Sequence, residues 1–158
     1  MLLDTILREW RTEADLAMVF HQRAECLLDM GDTEEALASF KEVFEAQRSR
    51  PGVLTSAHLD FAWWVAVGGR IDLFDDAFAV LDEFEYGLIF PAVVYATYGA
   101  KALMYSARGD SQKASECARW AIEATEQKRS VLRYHPTTGI VRIKDGDVHR
   151  RLQLLATG

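Results

Sequence analysis

Two stretches of this chain are versions of each other. Residues 24–40 read AECLLDMGDTEEALASF and residues 102–118 read ALMYSARGDSQKASECA. Aligned without gaps, they share Ala24/Ala102, Gly31/Gly109, Asp32/Asp110 and Ala36/Ala114, with a hydroxyl residue, Thr33 or Ser111, after each Asp. An internal repeat constrains a fold more than composition does, because each copy must be one structural unit that buries its apolar face against a neighbour. The shared positions say which unit it is. A small residue seven before the Gly lets two helix backbones approach. The Gly supplies the left-handed conformation that ends the first helix. Asp32 or Thr33, and Asp110 or Ser111, can accept hydrogen bonds from the free N–H groups that open the second helix. Ala36 and Ala114 put a further small side chain at the helix crossing.

A third, altered copy lies between them at residues 62–81, AWWVAVGGRIDLFDDAFAVL. Ala62 again precedes Gly69 by seven residues, but Ala77 follows it by eight, where the other copies have five. The difference points to three inserted residues, Arg70, Ile71 and Asp72, with Asp72 capping the next helix. The pattern predicts helices over about 12–30, 33–48, 55–67, 73–86, 91–108 and 111–132. Thr12 and Asp15 form a capping-box variant, Gly87 ends one helix, and Pro91 suits the first turn of the next. Ahead of these, Leu3, Ile6, Leu7 and Trp10 recur at helical spacing. After them, YHPTTGIVRIKDGD reads as an extended segment in which Val141 and Ile143 share a face. Asp145 or Asp147 then caps a last helix with Val148, Leu152 and Leu155 on one side.

The Gly-Asp turn, the small residues and their offsets resemble the tetratricopeptide repeat family over about 120 of the 158 residues. Phe40 matches the family's aromatic in the second helix, and Ala121 its later small position in the third copy. Val43 replaces that small residue in the first copy, Pro51 comes late, and the glycines are 38 and 40 residues apart, against roughly 34 for the family. The fold expected is all-α: a right-handed superhelix of about three helix-turn-helix repeats with a covering helix at each end. Residues 1–158 form one domain in this reading. It divides into a leading helix at 1–11, repeats at 12–50, 51–87 and 91–133, and an extended segment plus C-terminal helix at 134–158.

The resemblance implies a non-catalytic module that holds a protein or peptide segment in a concave groove lined by the first helix of each pair. Carried over position by position, the groove residues are Glu25, Trp63 and Leu103, then His21, Leu59 and Gly99, then Leu28, Ala66 and Ser106. Trp63 has two readings, an aromatic anchor for a partner or core between helices, whereas Trp64 reads as core. Relatives that grip a C-terminal carboxylate do so with Lys, Arg and Asn. This chain has His21, Glu25, Asp60 and Trp63 in that neighbourhood, so no such clamp is expected. A third arrangement has residues 134–146 folding back into the groove and regulating it.

Composition bears on what is excluded. With 49% hydrophobic residues and 3 Pro, the chain is a packed domain, large enough to remove roughly 70% of its unfolded surface from water without staples. The net charge is -6, unevenly spread: residues 1–100 hold 7 Lys+Arg against 18 Asp+Glu, residues 101–158 hold 11 against 6. The acidic majority opposes nucleic-acid binding. An acidic front and a basic tail also allow self-association into a homo-oligomer as the alternative function. The N-terminus, with Asp4 and Glu9, lacks the apolar length of a signal peptide or membrane span. Cys26 and Cys117 read as buried free thiols, so a reduced, cytoplasmic protein without membrane attachment is expected. His21 and Glu25 share a helix face without a third metal ligand, no phosphate loop, nucleotide fingerprint or serine elbow occurs, and no cofactor, metal or enzymatic activity is expected.

Overall fold

A computed structural model of the chain describes residues 16–85, 89–142 and 146–158. The described residues form seven α-helices and one 3-10 turn, with no strand. The chain divides into two compact units, Met1–His58 and Leu59–Gly158. The expected leading helix, the Thr12 capping box and the Gly87 stop lie outside the described residues.

In the first unit, helix α1 (Leu16–Met30) and helix α2 (Thr33–Ser49) pair antiparallel through a tight turn. Ala17, His21, Ala24 and Leu27 form the buried stripe of α1, spaced as one helix face requires. Gly31, at φ 80°, reverses the chain, and the Asp32 carboxylate accepts the Glu35 N–H to cap α2. Across the pair, Phe40 and Phe44 stack on α2, and Arg23 donates to Ser39 Oγ at 2.7 Å and to Glu35 at 3.0 Å. Beyond α2, the buried Gln47 side chain accepts two 2.8 Å hydrogen bonds from Thr55, N–H and hydroxyl, which fixes the linker to the next helix.

In the second unit, helix α3 (Ala57–Val67) leads through Gly69, at φ 64°, into the 3-10 turn Ile71–Leu73 and helix α4 (Phe74–Glu83). Helix α5 (Pro91–Ala107) and helix α6 (Ser111–Ala124) form the next pair. They repeat the first turn closely: Gly109 has φ 79°, and Asp110 accepts the Lys113 N–H at 3.1 Å. Ala102, Ala114, Ala118 and Ala121 are buried, which is why the two backbones can run close. Lys101–Asp82 and Arg108–Asp75 ion pairs tie α5 to α4. Helix α7 (Asp147–Thr157) packs on α6 and α5 through Leu152, which is fully buried, with Val148 and Leu155 half-buried on the same face.

Several boundaries differ from expectation for identifiable reasons. Of the three inserted residues, Ile71 and Asp72 open the 3-10 turn and Arg70 is its N-cap, with Asp72 locked to Arg70 at 2.8 Å. Leu73 is therefore the N-cap of α4, without a side-chain cap bond, and Asp72 does not serve there. Helix α4 stops at Glu83 rather than 86. Helix α6 stops at Ala124 rather than 132: Ala124 is its last buried residue, and the exposed run Glu126–Arg129 offers nothing to hold another turn. Gly146, not Asp147, is the N-cap of α7; Asp147 is its first helical residue and pairs with Arg150, while Asp145 lies outside the described residues. Cys117 is buried as expected, but Cys26 is exposed, because it follows Glu25 on the outward side of α1.

Candidate functional site

The second unit carries an aromatic cleft built on a missing side chain. Gly99 sits mid-helix in α5, where glycine costs helix stability of about 1 kcal/mol relative to alanine. A Cβ at that position would lie 2.9 Å from the Trp63 ring and 3.2 Å from Leu152 Cδ1. The absence of that carbon is what lets the Trp63 ring of α3 come up against α5 next to Leu152 of α7. Tyr95, one helical turn before Gly99, meets Trp63 at 5.7 Å between ring centroids and His149 of α7 at 6.1 Å. Its hydroxyl lies 3.4 Å from His149 Nδ1. Burial pushes the Tyr95 phenol above its ordinary value, so it stays protonated across the physiological range.

The opposite wall comes from the segment before α7. Phe90, the N-cap of α5, makes no side-chain cap bond. Instead, the Ala92 N–H donates to the carbonyl of Gly139 at 2.8 Å, satisfying one of the free donors of the first turn. Gly139 adopts φ 71°, and a Cβ there would stand 2.5 Å from Phe90 Cδ1. Only glycine fits that contact. Anchored in this way, Ile140, Val141 and Arg142 face Trp63, Ala92 and Tyr95 across a cavity of about 330 Å³, closed by Val148 and His149.

The sequence-derived groove residues are distributed unevenly. Trp63 is half-buried and stands at the centre of the cleft, and Leu59 on the same helix is also half-buried. Ala66 and Leu103 are 4% and 2% exposed and sit in the core of the second unit, leaving little surface for a partner. Ser106 is half-buried near the end of α5. On α1, Glu25 is exposed, Leu28 half-buried, and His21 is buried with its ring 6.4 Å from that of Phe40. Tyr95, Arg142 and His149 escaped the offset rule, since the cleft draws on α7 and the segment before it as well as on repeat helices. The mid-helix Gly99 was the available signal, because a glycine there marks a close approach by some other group.

Residues 19–50, which span most of α1 and all of α2, match the family model described as Tetratricopeptide repeat. This pair is a tetratricopeptide-like repeat. The Gly-Asp turn of the matched tetratricopeptide pair recurs between α5 and α6 at Gly109-Asp110, with nearly identical dihedral angle and the same Asp cap. No curated protein and no solved structure matches the chain. Tetratricopeptide repeats are in general protein-interaction modules, not enzymes, and no described helix is long and apolar enough to cross a membrane.

Proposed function

We propose that this chain is a non-catalytic, cytoplasmic interaction module that receives a protein or peptide segment on its first-helix faces, with Trp63 as the principal anchor. The observation that carries the reading is the cleft itself: a half-buried tryptophan and a tyrosine, opposed by apolar residues and still open. Half-exposed aromatic anchors in a pocket are where binding energy concentrates at protein interfaces. Leu59 extends the apolar strip along α3. In the first unit, Glu25 and Leu28 offer α1 as a separate acidic and apolar face.

A peptide display library panned against the whole chain tests this. Enriched peptides should carry apolar or aromatic residues, and in NMR titrations they should shift the amides of α3 and α5. Peptides that map only to α2, α4 and α6, or no enrichment at all, would remove the groove reading.

One observation favours self-association as a second reading. Between α6 and α7, Val131, Leu132 and Tyr134 are exposed, Tyr134 by 82%, beside Lys128, Arg129 and Arg133. This basic, apolar-tipped excursion suits the acidic surface of a second copy. Sedimentation at low and high salt decides it: a dimer that salt dissociates supports the idea, and a monomer at low salt ends it.

A further inference from the structure

The cleft has a polarity that the groove reading does not use. Its one permanently charged lining residue is Arg142, and no carboxylate lines it among the described residues. Three arginines of the second unit are engaged with carboxylates, Arg70 with Asp72, Arg108 with Asp75 and Arg150 with Asp147; of the others, Arg119, Arg129, Arg133 and Arg151 lie away from the cleft and Arg142 lines it. Arg142 has no such partner among the described residues, and the nearest following acid in the described sequence, Asp147, is held by Arg150. The remaining lining is aromatic or aliphatic. Bare ring faces would suit a cation, but a guanidinium on the rim repels one and attracts an anion. The volume of about 330 Å³ falls at the small end of ligand sites, roughly 300–1,000 Å³.

We propose that this cleft binds a planar aromatic group bearing a carboxylate, the ring packed against Trp63 and Tyr95 and the carboxylate meeting Arg142. Two sources offer that chemistry: a free aromatic acid, or a tryptophan followed by an acidic residue in a partner segment. The second source rests on the groove reading above, whereas the first stands without it.

The test is an NMR titration of the full chain with indole-3-acetate, its neutral alcohol analogue and the cation tryptamine. Two end-capped peptides are added, one with a central tryptophan followed by glutamate, the other with glutamine in that place. Indole-3-acetate should give saturable shifts at Tyr95, Val141 and His149, and bind about two- to five-fold tighter than the alcohol, the worth of a partly exposed charge pair. Tryptamine should bind weakest. Arg142→Gln, at an exposed position, should erase the preference for acid over alcohol. Preference for the glutamate peptide as well assigns the site to a partner segment; binding of the free acid alone assigns it to a small ligand. No saturable shift at these residues, tryptamine binding as well as the acid, or an acid preference that survives Arg142→Gln would overturn the proposal. Display peptides mapping to α3 and α5 alongside failure of indole-3-acetate would sink this inference and leave the groove reading standing.

Discussion

Gly31 and Gly139 share a positive φ, 80° and 71°, but not their surroundings. A Cβ at Gly31 meets nothing within 4 Å, while one at Gly139 meets the Phe90 ring at 2.5 Å. Alanine at either position adopts a left-handed conformation at a cost of roughly 1–2 kcal/mol, and at Gly139 it must also displace Phe90, adding about 1–3 kcal/mol of overpacking. Urea denaturation should therefore rank Gly139→Ala well below Gly31→Ala in stability. The Asp110 cap gives a second prediction. The N–H of Lys113, and then its ammonium, hold the Asp110 carboxyl below its ordinary 3.8. Its folded value is the lower one, so its contribution is complete above the ordinary value and disappears as pH falls through the folded one. Asp72 is shifted in the same direction by Arg70. Thermal melts from about pH 6 to about pH 3 should show falling stability, with a shallower fall in Asp110→Asn, which retains a capping acceptor. At this scale the turn glycines and the Asp32 and Asp110 caps were legible in the sequence, because their chemistry is local, whereas the caps expected at Asp72 and Asp147 were not formed. Gly99 was legible only as a groove position. That its missing Cβ seats Trp63 depends on two other helices, which no single stretch of sequence reveals.

Among the elements, α7 depends on its neighbours to hold its shape. Eleven residues are too few to hold a helix in water unaided, and α7 buries one large side chain completely, Leu152. Leu152→Ala should cost about 2–5 kcal/mol and loosen the wall that His149 and Val148 lend to the cleft. Hydrogen exchange would detect this as faster exchange in α7 than in α6. The helix pairs were foreseen because a turn glycine and apolar spacing agree at each, with an Asp after the glycine in the first and last. The end of α6 was not, since an Ala-rich helix runs into Glu126, Gln127, Lys128 and Arg129, residues that continue a helix readily when anything packs against them. Burial ends at Ala124, and burial is a tertiary fact. The insertion after Gly69 was located correctly but given the wrong job, because the Arg70 guanidinium competes for Asp72 and takes it.

At the level of the whole chain, the all-helical repeat reading stands, and the units each have a core of their own. Phe40 and Val43 are fully buried in the first, and Phe74, Leu81 and Leu103 nearly or fully so in the second. In repeat folds stability is close to a sum of local terms. Phe40→Ala, a loss of about 3–5 kcal/mol, should lower amide protection in α1 and α2 far more than in α5 and α6; equal loss in both would show a single cooperative block. The asymmetry of charge was readable from the sequence, and so was the basic character of the tail. The segment of the cleft's second wall entered the sequence reading only as one alternative, residues 134–146 folding back into the groove, because an extended run around Val141 does not by itself say what it faces.

The excursion after α6 has a consequence for how this protein is handled. Residues 126–129 and 131–138 are exposed, and the segment's backbone hydrogen bonds run among its own members, as from Ser130 to Pro136 and from His135 to Leu132. Lys128, Arg129 and Arg133 make it a preferred place for trypsin to nick. The cut would free no fragment: Leu152 in its socket and the Gly139 carbonyl on the first turn of α5 would keep the severed C-terminal piece docked, so that the two pieces elute as one particle and separate only in denaturant.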